Sequence, residues 1–398
     1  MILEALTIAV STLVSIPLLM VGTECLVALL FNPKATSSEG ALGKQITYKI
    51  LMPAHNEAQI IAKTLARLIP QLPDANPQHI VLVADNCTDE TAVIARSSGV
   101  TVLERQDNER RGKGYALDFG IQYLSENRQP AIIVVMDADC ETTKASLSAL
   151  IYKVAQTNRP AQMTYLMRVP EQASIKQKIS GFAWMLKNKI RLSAMDKMGM
   201  PVTLTGTGMA FPWQVFETVK IGHGNIVEDM QLGIDCAING YPPVFCAEAV
   251  VYSDFPEQSE AELSQRTRWE HGHLQTILQQ VPVLVKEAIR RKNGRLFILA
   301  LDIAVPPLSF QVMLTLSCFL ILAIAYWVTN NVTAFAILLL SFLYFTAMLA
   351  GIWRRFGQGY LSAKELSAIP QYAYSKLSIY GAFIFKRQKE WVRTNRDP

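Results

Sequence analysis

The stretch IIVVMDADC, residues 132–140, ends a run of apolar residues with two aspartates one position apart. Ile132 to Met136 has the character of a central strand. Side chains alternate along an extended chain, so Asp137 and Asp139 point the same way. Two carboxylates on one side repel each other unless positive charge lies between or beside them. A divalent cation answers that need; a helix N-cap or a solvated loop is the plain alternative. Glu228-Asp229 opens the apolar-periodic segment MQLGIDCAI, where the helix dipole alone favours acids. In Arg111-Gly112-Lys113-Gly114 the glycines permit close backbone approach, and a helix start with a Lys ammonium suits a diphosphate, although the same residues also make a simple loop. Gln265, Arg268 and Trp269 stand at i, i+3 and i+4, so a helix presents all three on one face. Arg grips phosphate oxygens, Trp stacks on a sugar ring, and Gln bonds a hydroxyl or phosphate. A buried Trp beside an exposed Arg is the structural alternative.

The elements that must position these groups alternate in type. ITYKILMP, HIVLVAD, VTVLE and AIIVVMD are strand-like, and Glu57 to Leu72, Thr91 to Ser97 and Lys113 to Glu126 have helical spacing. Strand and helix in turn predict right-handed crossovers and a mostly parallel sheet flanked by helices. Ligands of such sheets bind at the carboxyl ends of strands. Pro53 to Glu57, Asp85 to Asp89 and Asp137 to Asp139 fall at those ends, which puts Glu57, Asp85, Asp137 and Asp139 on one rim.

The chain of 398 residues is half apolar and only 18% charged, which points to a membrane. The net charge of +5 fits an anionic leaflet or a phosphate-bearing substrate and is too diffuse to argue nucleic-acid binding. The six cysteines show no Cys-x-x-Cys spacing, and His271 and His273 send their rings to different helix faces, so no zinc site or disulfide framework is expected. Residues 1–31 are expected to form an N-terminal anchor rather than a signal peptide, because Glu4 precedes the apolar run with no Lys or Arg. A linker over 32–45 leads to a cytosolic domain over 46–280. Interfacial helices over 281–307, broken by Pro306-Pro307, precede two transmembrane helices over 308–353. Residues 354–398 form a further interfacial segment and a basic tail. Lys34, Lys44, Lys49, Arg354 and Arg355 predict that the domain over 46–280 and the tail lie on the cytosolic side of a multi-pass (inner) membrane protein. Glu24 and Asp302 are expected near the headgroups.

LMPAHNE, VADNCTDET, RRGKGYALDFG, VVMDADC, TGTGMAF, VEDMQLG and QRTRW occur in this order over about residues 45–280. In this the chain resembles the inverting family 2 glycosyltransferases, specifically the membrane-bound branch of cellulose, chitin and hyaluronan synthases and ceramide glucosyltransferases. The resemblance implies a GT-A-like α/β fold, a UDP-sugar donor, Mg²⁺ or Mn²⁺ as cofactor, and β-linked transfer to a lipid-linked or polysaccharide acceptor. It implies that Asp85 accepts the uracil imide N–H, that Pro53 and Glu57 lie by the nucleoside, and that Lys113 contacts phosphate or nucleoside. Asp139 would be the direct metal ligand, with Asp137 supporting nucleotide or metal. Asp229 would deprotonate the acceptor hydroxyl, while Glu228, Gln265, Arg268, Trp269 and Thr207, the last in the loop Thr205 to Gly208, would line the acceptor and diphosphate side. His55 replaces a frequent Tyr, Val227 replaces a frequent Thr, and Trp391, Thr394 and Arg396 resemble a closing motif. Three spans are few for a polymer channel, which favours a lipid-linked acceptor; the alternatives are a processive synthase and a non-catalytic nucleotide-sensing scaffold.

Overall fold

A computed structural model describes residues 1–31, 46–127, 129–222, 227–255 and 259–385. The linker and basic-tail expectations, including Trp391, Thr394 and Arg396, lie outside these residues. The described chain divides into two compact units, one drawn from residues 34–168 and 201–272, the other from 1–33, 169–200 and 273–387.

The first unit is built on an eight-stranded sheet: β1 (Tyr48–Ala54), β2 (Ile80–Asp85), β3 (Thr101–Arg105), β4 (Ile132–Val135), β5 (Glu141–Thr142), β6 (Ala161–Arg168), β7 (Met209–Pro212) and β8 (Val244–Asp254), in the order β3-β2-β1-β4-β7-β6-β8-β5. β1, β2, β3 and β4 run parallel, as expected from their sequence. Every residue of β2 and β4 is buried, which explains why they read as unbroken apolar runs rather than alternating ones. β7 is antiparallel to both β4 and β6, and β5 to β8, so the second half of the sheet is mixed. The helices Thr91–Ser97 and Lys113–Glu126 match their sequence expectations. The helix expected from Glu57 begins instead at Ile61, because the Glu57 and Ala58 N–H groups donate to Thr91 Oγ1 and Asp89 Oδ2 rather than entering a helix start. Leu51, Val83, Ile133, Leu117 and Phe211 belong to the core between this sheet and its helices.

The second unit is helical. Three helices, Ile2–Leu30, Leu308–Thr329 and Thr333–Gly357, are long and apolar enough to cross a membrane. The segment Ile369 to Phe385 is two short helices, Ile369–Ser375 and Leu377–Phe385, interrupted at Lys376 as its sequence suggests. Residues 169–200, expected within the sheet domain, belong to the helical unit instead, and the boundary expected at 280 lies inside one continuous helix, Ser259–Arg290. A helical stretch between strands is apolar on its buried face whichever partner it packs against, so periodicity alone does not assign it.

Inside this unit Arg191, at the end of a π-helical turn Leu186–Arg191, is buried between two acids. Its Nε donates to Glu24 Oε2 at 2.5 Å, and Nη2 donates to the Asp302 carboxylate and, at 3.1 Å, to the Asp302 carbonyl. Burial alone would pull the guanidinium down; Glu24 and then Asp302 outweigh it and hold it above its ordinary value.

Candidate active site

The parallel strands β1, β2 and β4 are neighbours and end on one rim, so the loops that carry Glu57, Asp85, Asp137 and Asp139 leave the sheet side by side. The first two loops are stitched together. Asn56 Oδ1 accepts the Thr88 N–H at 2.7 Å, Asn56 Nδ2 donates to Thr88 Oγ1 at 3.1 Å, and His55 Nδ1 bonds the Asp85 carbonyl at 2.6 Å. His55 thus acts as a loop fastener. Pro53 stays within β1, and Glu57 follows the turn made by Asn56, whose φ of 55° lies in the left-handed region.

Asp85 is buried, and its carboxylate has a partner that the motif did not disclose. Arg105, the last residue of β3, donates from Nη1 to Asp85 Oδ1 at 2.6 Å, and Asn86 Nδ2 donates to the same oxygen at 3.0 Å. The other Arg105 nitrogen, Nη2, reaches Asp107 Oδ2 at 2.9 Å and the Arg110 carbonyl at 2.7 Å. One guanidinium therefore ties the end of β2 to the loop that delivers Lys113. A basic residue ending a strand on the acidic rim is the signal that marks it.

Lys113 is the hub of the acidic cluster. Its Nζ lies 2.5 Å from Asp137 Oδ1, 2.8 Å from the Gly206 carbonyl and 3.9 Å from Glu228 Oε1. A β-carbon built on Gly206 would meet Asp229 Oδ2 at 3.4 Å and Lys113 Nζ at 3.7 Å, so Asp229 shares this space. Burial would lower the ammonium, but Asp137 and then Glu228 hold it above its ordinary value. Burial pushes the Glu228 carboxyl up to about 7, against the opposing pull of Lys113. Glu228 and Asp229 form the first turn of the helix Glu228–Ile238, where the backbone dipole favours acids.

The loop Thr205 to Gly208 is braced from beneath. Thr207 is fully buried, and its Oγ1 accepts the Asp137 N–H at 3.1 Å. Gln162, a fully buried polar residue in β6, accepts the Thr205 N–H at 2.9 Å and donates to the Thr207 carbonyl at 2.9 Å. Gly208 has a φ of +64°, and a β-carbon there would lie 2.6 Å from Val251 Cγ1, so no other residue fits without displacement. Thr207, expected on the acceptor side, holds the backbone N–H of Asp137. Gln162 gave only a weak signal, a lone amide in the apolar run AQMTYLM.

Asp137, Asp139 and Cys140 bring their ligand atoms within 4.8 Å of one another. Burial, reinforced by Asp139 and Asp137, pushes the Cys140 thiol well above its ordinary range, and its S–H donates to Asp139 Oδ1 at 3.5 Å. The donor set on offer is thus two carboxylates, hard oxygen ligands that fit Mg²⁺ or Mn²⁺ rather than a thiophilic metal. Gln265, Arg268 and Trp269 lie on the helix Ser259–Arg290, Gln265 buried and the other two half-buried. The structure thus gathers Lys113, Asp137, Glu228, Asp229 and Gly206 into one cluster, with Asp139 beside Asp137.

Comparison with known proteins bears on the family and the fold. The family model described as "Glycosyltransferase like family 2" matches residues 46–272. The probable glycosyltransferase YdaM of Bacillus subtilis (strain 168) is 26% identical over 259 residues, 61% of this chain and 59% of its own length. The 4,4'-diaponeurosporenoate glycosyltransferase of Staphylococcus aureus (strain MRSA252) is 34% identical over 131 residues, 31% of this chain and 32% of its own. The chain therefore spans 59% and 32% of the lengths of these two relatives. A mannosyltransferase from Pyrobaculum calidifontis, solved with GDP-Man and Mn²⁺, has the same fold, with a TM-score of 0.58 at 16% identity over 97% of this chain and 100% of that one.

Proposed function

The chain belongs to glycosyltransferase-like family 2, and we propose that it is a membrane-anchored inverting enzyme that moves a hexose from a UDP-sugar to a lipid-linked or glycan acceptor. One observation carries this reading: Lys113, Asp137, Glu228 and Asp229 meet beside Gly206 at the loop ends of the sheet, with Asp139 alongside. Such a cluster suits a donor that departs as a diphosphate and an acceptor that must lose a proton. Asp85, fixed by Arg105, accepts the imide N–H of uracil, while Pro53 and Glu57 flank the nucleoside. Lys113 contacts the phosphates. Asp137 and Asp139 would hold a divalent cation, which when bound would supply positive charge to offset that of the departing diphosphate. Asp229 takes the proton from the acceptor hydroxyl as that oxygen attacks the anomeric carbon from the face opposite the diphosphate. A single displacement inverts the centre, so an α-linked donor gives a β-linked product. Gln265, Arg268 and Trp269 serve the acceptor and diphosphate side.

The three long apolar helices support a multi-pass protein of the cell (inner) membrane, with residues 46–280 cytosolic, 281–307 and the segment after 354 interfacial, and residues 308–353 crossing twice. This arrangement supports assigning the chain to the membrane-bound branch of the family, with a role in surface polysaccharide or glycolipid synthesis. The test is a nucleotide-release screen of the detergent-purified full chain with lipid extract, over several UDP-sugars and GDP-mannose, with and without Mn²⁺ or Mg²⁺. Release of UDP that requires both metal and lipid extract is expected. Metal-independent turnover that Asp139→Ala abolishes would contradict the cation assignment, and the absence of release from every donor would sink the enzyme reading in favour of a scaffold.

A further inference from the structure

The helix Ser259–Arg290 ends in a corner, RRKNGR, that turns through Lys292 at a φ of 51° into the helix Gly294–Ile303, which Asn293 caps by accepting the Arg295 and Leu296 N–H groups. Lys286, Arg290, Arg291, Lys292 and Arg295 are all exposed. Glu287 pairs with Arg290 at 2.6 Å and Arg291 at 2.7 Å, so five bases stand against one acid and the corner keeps a strong positive charge. The same surface carries apolar prongs. Ile289 is 70% exposed, Val283 43% and Phe297 42%, whereas Leu284 and Ala288 are buried. Val283, Lys286 and Arg290 stand at i, i+3 and i+7, with Ile289 flanking them, so the exposed face of the helix carries apolar and basic side chains together. The catalytic reading uses none of these residues.

We propose that this corner is a docking surface for anionic phospholipid headgroups, with Val283, Ile289 and Phe297 entering the acyl boundary and the five bases gripping phosphates. The proposal rests on the membrane assignment above. Charge complementarity selects the occupant: clustered Lys and Arg at an amphipathic helix corner, one short helix before a candidate membrane span in the chain, attract anionic lipid, while the apolar prongs offer nothing to a free anion or a nucleic acid.

The experiment uses the full chain in neutral detergent, titrated with short-chain phosphatidylglycerol or phosphatidylcholine and read by thermal shift. Phosphatidylglycerol is expected to bind more tightly than phosphatidylcholine. Replacing Lys286, Arg290, Arg291, Lys292 and Arg295 with Gln should weaken phosphatidylglycerol by about three orders of magnitude, at roughly fivefold for each of the five charges, and leave phosphatidylcholine unchanged. The variant R290K/R291K/R295K keeps the charge and should keep the binding, which separates lost attraction from misfolding. Retained phosphatidylglycerol preference in the Gln variant overturns the proposal, as does inorganic phosphate or a DNA oligonucleotide binding the corner as tightly as the lipid. Failure of the membrane assignment would show separately, as wild-type chain that stays dispersed without detergent.

Discussion

Two buried ion clusters share a plan and differ in outcome. In each, one cation stands among acids: Lys113 with Asp137 and Glu228, and Arg191 with Glu24 and Asp302. Arg191 links three helical segments, and its two carboxylates are almost wholly buried. Its fork-shaped head reaches both partners at once, which suits a fixed joint. Lys113 opens a helix behind a glycine loop, faces a second helix start, and its main partner Asp137 is about a third exposed. An ammonium is a point charge that trades partners readily. The difference lies in access: a charge cluster at loop ends and helix starts can exchange an internal counter-ion for a ligand, whereas one sealed among helices holds the chain together.

The largest expected effect separates the two by readout. Asp229→Asn should lower the transfer rate by roughly a hundred- to ten-thousand-fold, the range of lost general-base catalysis, without moving the melting temperature. A melting change with no rate change would erase the contrast. Arg191→Met should do the reverse, costing about 3–5 kcal/mol of stability because two buried acids lose their partner. Denaturation in detergent measures the loss, and the folded fraction should keep its transfer rate. Adding Glu24→Leu and Asp302→Leu should restore much of the stability, since a buried charge network replaced by apolar residues leaves no unpaired ion.

Glu228 sharpens the comparison through pH. Its value in the fold, about 7, lies above the ordinary 4.5, so the folded chain holds this proton more tightly than the unfolded chain. Stability should therefore fall as pH rises from 4.5 to 7, with the full cost present above that window. Glu228→Gln removes the cost and should gain on the wild type by up to about 3 kcal/mol across the window, as read by paired melting curves. A pH-independent difference would place Glu228 outside the coupled cluster. The smallest effect belongs to Thr207→Val, which leaves the Asp137 N–H without its acceptor and should cost about 1 kcal/mol with a modest rate loss.

Much of this was legible in the sequence. IIVVMDADC announced a central strand and its acidic end, because a strand buried on both faces is apolar throughout and its first polar residue marks the rim. The three long helices and the break at Lys376 followed from apolar length and charge placement alone. The partners were not legible. Glu24, Asp302 and Asp85 each bond an arginine far away in the chain, and spacing carries no information about such contacts. The assignment of residues 169–200 to the helical unit was hidden for the same reason, since an apolar helix face does not name what it packs against.

The arch formed by Arg105 has a consequence for redesign. Exchanging Asp85 alone would strand a guanidinium whose other hand steadies the approach to Lys113, so, with the roles proposed for these two residues, a change of nucleobase would disturb the proposed phosphate contact as well. New donor preferences in this scaffold should therefore come as matched substitutions at positions 85 and 105, and single changes at either should lose binding to every nucleotide rather than trade one for another.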